Sequence, residues 1–135
     1  MRDTKVISAF PAVGKSWLFN ELSKKGISVL DSDSSNFSWL SEGVRNPEFP
    51  KNYITHIKDN IGKVDYIFVS SHKEVRAEMN YNLVSYTLVF PHESLIKEYI
   101  DRFVKRGNDE KFIEFIFSKM MLNFIMIYKK VFLIF

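Results

Sequence analysis

Residues 9–16 read A-F-P-A-V-G-K-S, directly after a short apolar run at Lys5, Val6, Ile7 and Ser8 and directly before a helical pattern opening at Trp17 and Leu18. The segment differs at one position from G-x-x-x-x-G-K-[ST]. In that pattern, backbone N–H groups cradle phosphates, the lysine ammonium reaches the terminal phosphates and the hydroxyl meets magnesium. Gly14, Lys15 and Ser16 are in place, whereas Ala9 stands where the first glycine belongs. A Cβ there narrows the turn and disfavours positive φ, although alanine is the smallest such intrusion. The strand-loop-helix setting matters more than the pattern, because a helix N-terminus supplies the free N–H groups and the dipole that hold a triphosphate. The expected nucleotide contacts are Pro11, Ala12, Val13, Gly14, Lys15, Ser16 and Trp17.

A second group of residues carries charge suited to chemistry on phosphate. The run Leu30-Asp31-Ser32-Asp33-Ser34-Ser35 ends an apolar stretch. Ligands of open parallel sheets sit beyond the carboxyl ends of strands, so both carboxylates are expected beside the loop at 9–16. One would bind magnesium and the other would orient or deprotonate an acceptor. Residues i and i+2 of an extended segment face the same way. The competing role is a turn that caps the next helix.

The run Val69-Ser70-Ser71-His72-Lys73-Glu74-Val75-Arg76 lacks the closing aspartate of a Walker B strand. Ser70 and Ser71 can bond water or magnesium, and Lys73 and Arg76 can meet an anion. The alternative is a helix cap followed by solvated charges, and His72 fits a cap or surface position better than a general base. Further on, Arg102 and Arg106 are four apart and share a helix face, opposite the apolar Tyr99, Ile100 and Phe103. Two such guanidiniums can clamp a transferring phosphoryl group. Glu98, four before Arg102, offers an ordinary surface ion pair instead, and Gly107 with Asn108 stops the helix.

The elements that must position these residues are legible from periodicity. Short β-branched or aromatic runs at 5–8, 27–30, 65–69 and 86–90 predict buried strands. Helical periods fall between or after them at Trp17, Leu18 and Leu22, at Tyr53, Ile54, Ile57 and Ile61, and at Leu95, Ile96, Tyr99, Ile100 and Phe103. Alternating strands and helices predict an α/β fold with a parallel sheet of about four or five strands, covered on both faces.

With 135 residues, 46% of them hydrophobic, the expectation is one domain with an ordinary core. There is no cysteine, so no disulfide framework and no thiolate metal site is available. The start, Met1-Arg2-Asp3-Thr4-Lys5, lacks the long apolar segment of a secretory signal, and a cytoplasmic location is expected. Of the net charge of +3, residues 112–135 contribute +2, from Lys119, Lys129 and Lys130 against Glu114. The rest is near neutral, with no basic stripe for nucleic acid.

Residues 112–135 hold 18 apolar or aromatic side chains among 24, yet Lys119, Asn123, Lys129 and Lys130 interrupt them before they reach membrane-spanning length. A helical segment packed on a core at 1–111 is the expectation. A membrane-surface or oligomer-forming helix is one alternative, and a tail not native-like in sequence is another.

Four segments in order resemble the P-loop nucleotide and small-molecule kinases, the adenylate kinase-like group: residues 9–16, Asp31 with Asp33, Ser70-Ser71 with Arg76 following, and the helix ending at Arg102 and Arg106. The D-x-D is similar to that of shikimate kinases, and V-S-S-H-K-E-V-R to a segment of gluconate kinases. The compact size resembles small bacteriophage nucleotide kinase-like proteins. The likeness spans about residues 5–117. It implies a three-layer α/β/α P-loop NTPase fold and an ATP-dependent transfer to a small acceptor, most plausibly a (deoxy)nucleoside monophosphate. Lys15 would hold the β/γ-phosphates, Ser16 and Asp31 magnesium, and Asp33 the acceptor, while Arg102 and Arg106 would neutralise transition-state charge. Phe37, Trp39, Arg45 and Lys51, with Arg76, are the further acceptor contacts, since aromatic stacking beside a guanidinium suits a nucleotide. The same residues can instead pack a loop. A nucleotide-binding module without efficient transfer is the second reading, favoured by Ala9, the missing Walker B aspartate and a nearly absent lid.

Overall fold

The computed structural model describes residues 2–11, 13–90 and 92–118. The chain divides into two compact units, Met1–Phe90 and Pro91–Phe135.

The first unit is an α/β arrangement around a four-stranded, all-parallel sheet. Its strands are β1 (Lys5–Ala9), β2 (Val29–Asp31), β5 (Tyr66–Ser70) and β6 (Thr87–Val89), in the spatial order β2-β5-β1-β6. These coincide with the four β-branched and aromatic runs, but only the two central strands are buried as expected: β1 and β5 hold buried residues, while the outer strands β2 and β6 hold none. Between β1 and β2 runs α1 (Lys15–Lys24), and between β5 and β6 runs α4 (Lys73–Tyr81). The β2-to-β5 connection is longer. It holds α2 (Ser35–Ser38), an antiparallel pair β3 (Trp39–Ser41) and β4 (Val44–Arg45), and α3 (Lys51–Asn60). Periodicity did not announce the β3–β4 pair, whose three- and two-residue strands are too short to show alternation.

The core lies where Val6, Ile67 and Val69 of the sheet meet Tyr53, Ile54 and Ile57 of α3 and Val75 and Met79 of α4, with Val84 joining them. Residues 53, 54 and 57 share one face of α3, the i, i+1, i+4 spacing of an apolar stripe. By contrast α1 buries none of its residues, and Trp17 is 67% exposed. Register sets what meets at the carboxyl edge: Ala9 pairs with Ser70 and Val89, and Asp31 with Phe68, so residues 32–34 continue to the level of Ser70.

In the second unit a 3₁₀ turn, Glu93–Leu95, leads into α5 (Ile96–Lys105), and helix resumes over 110–118. Phe103 packs edge-on against Phe112 with ring centres 5.7 Å apart. Of the apolar segment at 112–135, only 112–118 lie within the described residues. No described helix is long and apolar enough to cross a membrane.

Candidate functional site

Strand β1 is the middle of the site because its two neighbours, β5 and β6, both end at the same edge. Pairing to β6 continues one residue past β1, the Phe10 N–H donating to the Val89 carbonyl at 2.9 Å. The chain then turns through Pro11 and Val13 to Gly14, which has φ +101°, and enters α1 with the Leu18 N–H bonded to the Gly14 carbonyl at 2.9 Å. Ala12 lies outside the described residues. A left-handed φ at Gly14 is the conformation that side chains disfavour, and this glycine is where the turn needs it.

Ala9 does not bear the expected strain. It is the last residue of β1, paired on both sides and buried, and it is not among the residues of positive φ. The left-handed turn falls five residues later, at Gly14, so position 9 has no positive φ for a side chain to disfavour.

The Lys15 ammonium returns across the loop to the Ala9 carbonyl, 3.4 Å away. Ser16 and Trp17 follow in the first turn of α1, both exposed, and neither a side-chain cap nor an acidic residue occupies that helix start. The loop therefore presents uncapped N–H groups, a lysine and a hydroxyl at one end of a dipole whose sign attracts anions.

Asp31 and Asp33 arrive at the same edge from β2. Both are exposed, while Ser32 and Ser34 between and after them are buried. Asp33 also plays the turn-forming role: its Oδ1 accepts the Ser35 N–H at 2.9 Å at the start of α2. Among the described residues, no three His, Cys, Asp or Glu side chains gather as a metal site. A magnesium ion at this edge would take one or two hard oxygens, from Ser16 and Asp31, and complete its shell from phosphates and water, which is how that ion commonly binds. The donor chemistry fits.

At the end of β5 the residue level with Ala9 is Ser70, and it is the hub of a hydroxyl network. Its carbonyl accepts the fully buried Ser8 hydroxyl at 3.3 Å, and its own Oγ donates to Ser34 Oγ at 2.7 Å. Its N–H donates to the Tyr53 hydroxyl at 3.2 Å, which in turn donates to the Ser32 carbonyl at 2.7 Å. Burial pushes the Tyr53 pKa above its ordinary value. The hydrogen bonds with Ser70 and Ser32 act against that, and the nearby Asp33 charge adds to it. The network ties β1, the 32–34 turn, β5 and α3 together. Sequence reasoning counted Tyr53 only as a core position and did not single out Ser8 or Ser34. A serine inside an apolar strand was the one available signal.

The remaining expected residues divide clearly. Ser71 accepts the Arg76 Nε–H at 3.1 Å, which draws that guanidinium back toward the β5 end, while Lys73 is exposed and His72 occupies the N-cap position of α4. Phe37 packs against Tyr53 and His56, with ring centres 5.2 and 4.7 Å away. Arg45 lies over Trp39, and Lys51 opens α3.

Arg102 and Arg106 belong to the second unit. Arg102 donates to Glu98 at 2.7 Å, and its guanidinium lies 4.7 Å from the centre of the Tyr99 ring. That corrects the expectation that Tyr99 faces away from it, since residues three apart on a helix are neighbours. Arg106 is the exposed C-cap of α5, and four residues, 106–109, separate that helix from the next helical stretch.

The chain matches no protein-family model, no curated protein and no solved structure.

Proposed function

We propose that this protein is an ATP-dependent phosphotransferase of the P-loop kind, moving the γ-phosphoryl group to a small acceptor, a (deoxy)nucleoside monophosphate. The observation that carries the reading is the meeting, at one sheet edge, of the Gly14-Lys15-Ser16 turn into an uncapped helix and the Asp31 and Asp33 carboxylates. The strand order supports it: under the right-handed rule for parallel crossovers, α1 would lie on the face opposite α3 and α4, as the three-layer form of such enzymes requires. Under the same rule the connections leaving the adjacent strands β1 and β5 would go to opposite faces, and such a boundary is the usual ligand crevice of open sheets.

In this reading the residues at 13–17 bind the triphosphate through backbone N–H groups, and Lys15 places its charge on the β/γ-phosphates. Ser16 and Asp31 would hold magnesium, which supplies charge neutralisation at the phosphates when bound. Asp33 orients the acceptor hydroxyl or phosphate, and Arg45 and Arg76 hold its anionic part. The work is positioning and electrostatics rather than covalent catalysis.

The test is ADP release from Mg-ATP with a panel of deoxynucleoside monophosphates and small hydroxy acids. Stimulation by one acceptor supports the reading and names the substrate, and no stimulation by any refutes transfer. A second reading, nucleotide binding without efficient transfer, is favoured by one observation. The end of β5 offers a hydrogen-bonded serine in place of a carboxylate, and Asp33 is partly committed to its turn. Slow ATP hydrolysis indifferent to every acceptor is its signature.

A further inference from the structure

Arg45 ends the β3–β4 pair, and its guanidinium carbon lies 4.7 Å from the centre of the Trp39 ring and 5.7 Å from that of Phe49. Aromatic faces attract a planar cation, so the two rings order the side chain without using its N–H donors. Among the described residues its charged partner is Glu74, with Oε1 3.8 Å from Nη2 and both side chains about half exposed. That separation is an ion contact longer than a hydrogen bond. The charge of Arg45 is balanced, while its donor fork makes no hydrogen bond to Glu74.

Glu74 has support of its own. It stands in the first turn of α4, where the helix dipole stabilises a carboxylate, so its charge stays partly compensated when the guanidinium turns to another anion. The pair also sits on the functional side of the sheet. The Phe49 ring stacks on Tyr53, 6.1 Å between centres, and the Tyr53 hydroxyl reaches the ends of β2 and β5. Helix α4 starts three residues after Ser70.

The geometry points to Glu74 as the internal occupant of an anion site on Arg45: a phosphate group, free or esterified, displaces the Glu74 carboxylate and receives the bidentate N–H pair that Glu74 leaves unused. A guanidinium held flat by aromatic rings matches two oxygens of a phosphate. Only the identity of what the phosphate is attached to rests on the acceptor reading proposed above. The consequence is selectivity, because weakly binding anions do not repay the loss of the Arg45–Glu74 contact and a phosphate does.

The test is titration calorimetry of the whole protein with inorganic phosphate and, separately, with deoxyadenosine monophosphate. The variants are Glu74→Gln, Arg45→Ala with Glu74→Gln, and Glu42→Gln, which makes the same charge change on the exposed turn of the hairpin. Removing the competing carboxylate is expected to tighten one or both phosphate ligands by about three- to tenfold, the scale of an exposed charge contact. Glu42→Gln should change neither, and the gain should vanish when Arg45 is also replaced. No gain in Glu74→Gln, an equal gain in Glu42→Gln, or a gain that survives loss of Arg45 overturns the inference. Arg45→Lys, which keeps the charge and removes the fork, stands in for Arg45→Ala should that variant fail to fold. Mg-ATP is titrated into the same samples. If the parent binds no Mg-ATP while the Glu74→Gln gain is present, the phosphotransferase reading fails and the anion site stands.

Discussion

The Tyr53 hydroxyl accepts the backbone N–H of Ser70 at 3.2 Å, fixing the end of β5 to a helix that begins on the far side of the β3–β4 pair. The same hydroxyl donates to the Ser32 carbonyl, so one buried oxygen spaces the turn carrying Asp33 from the strand end level with Ala9. Tyr53→Phe keeps the ring contacts with Phe37 and Phe49 but leaves an amide and a carbonyl without their partner. Unsatisfied buried groups cost about 1–3 kcal/mol. Urea unfolding of the variant should show a loss in that range with an unchanged slope. A loss near zero would mean that water replaces the hydroxyl freely.

The same group sets an alkaline limit. An unfolded tyrosine loses its proton near 10.0, whereas burial keeps Tyr53 protonated to higher pH in the folded chain. Between the two values the folded state binds more protons, so the contribution is intact below about pH 10 and stability falls as pH rises beyond it. The stability gap between the parent and Tyr53→Phe should therefore narrow above pH 10. Urea midpoints of both proteins at pH 8 to 11 test this, and a constant gap would contradict it.

Helix α4 ends in a Schellman motif, with the Leu83 N–H on the Asn80 carbonyl at 3.1 Å and the Val84 N–H on Met79 at 2.9 Å. Helix α1 ends with the same pair of bonds, but with Gly26 at the left-handed position. In α4 that position is held by Leu83, with φ +57° and a side chain 91% exposed. The side chain brings strain and almost no burial. Leu83→Gly is expected to stabilise the protein by about 0.5–1 kcal/mol, after the larger unfolded-state entropy of glycine is set against the relief. Thermal unfolding would show a rise of a few degrees, and a fall would place Leu83 in a contact that matters.

At the loop, position 14 and not position 9 is the sensitive one. Gly14→Ala introduces a Cβ into open space, but at φ +101°. The backbone strain of about 1–2 kcal/mol should weaken Mg-ATP binding by about tenfold. Ala9→Gly should change it by less than twofold, since that residue is ordinary strand. A large gain from Ala9→Gly would reverse this assignment.

Strand positions, the apolar faces of α3 and α5 and the arrival of residues 9–16 and of Asp31 and Asp33 at one sheet edge were legible in the sequence, because burial imposes periodicity and parallel strands put their carboxyl ends together, whereas the apolar pattern of α1 marked a helix that buries none of its residues. Three features were not. Ser70 as a hub depends on which hydroxyl points where, and no pattern of residue types records that. The β3–β4 pair is too short for alternation to show. The Ala9 expectation failed because a motif aligns residue types, while the left-handed turn is set by local backbone geometry, here at Gly14. For Arg102 the ordinary reading, an ion pair with Glu98, was also visible four residues away.

Phosphoryl transfer itself is read by following labelled γ-phosphate from Mg-ATP to a deoxynucleoside monophosphate panel with the parent protein and Lys15→Ala side by side. A labelled product is expected with one acceptor from the parent, and loss of turnover by a factor of a hundred or more, roughly 3 kcal/mol of transition-state stabilisation, in the variant. Equal transfer by both proteins, or none by the parent with any acceptor, would contradict the proposed function.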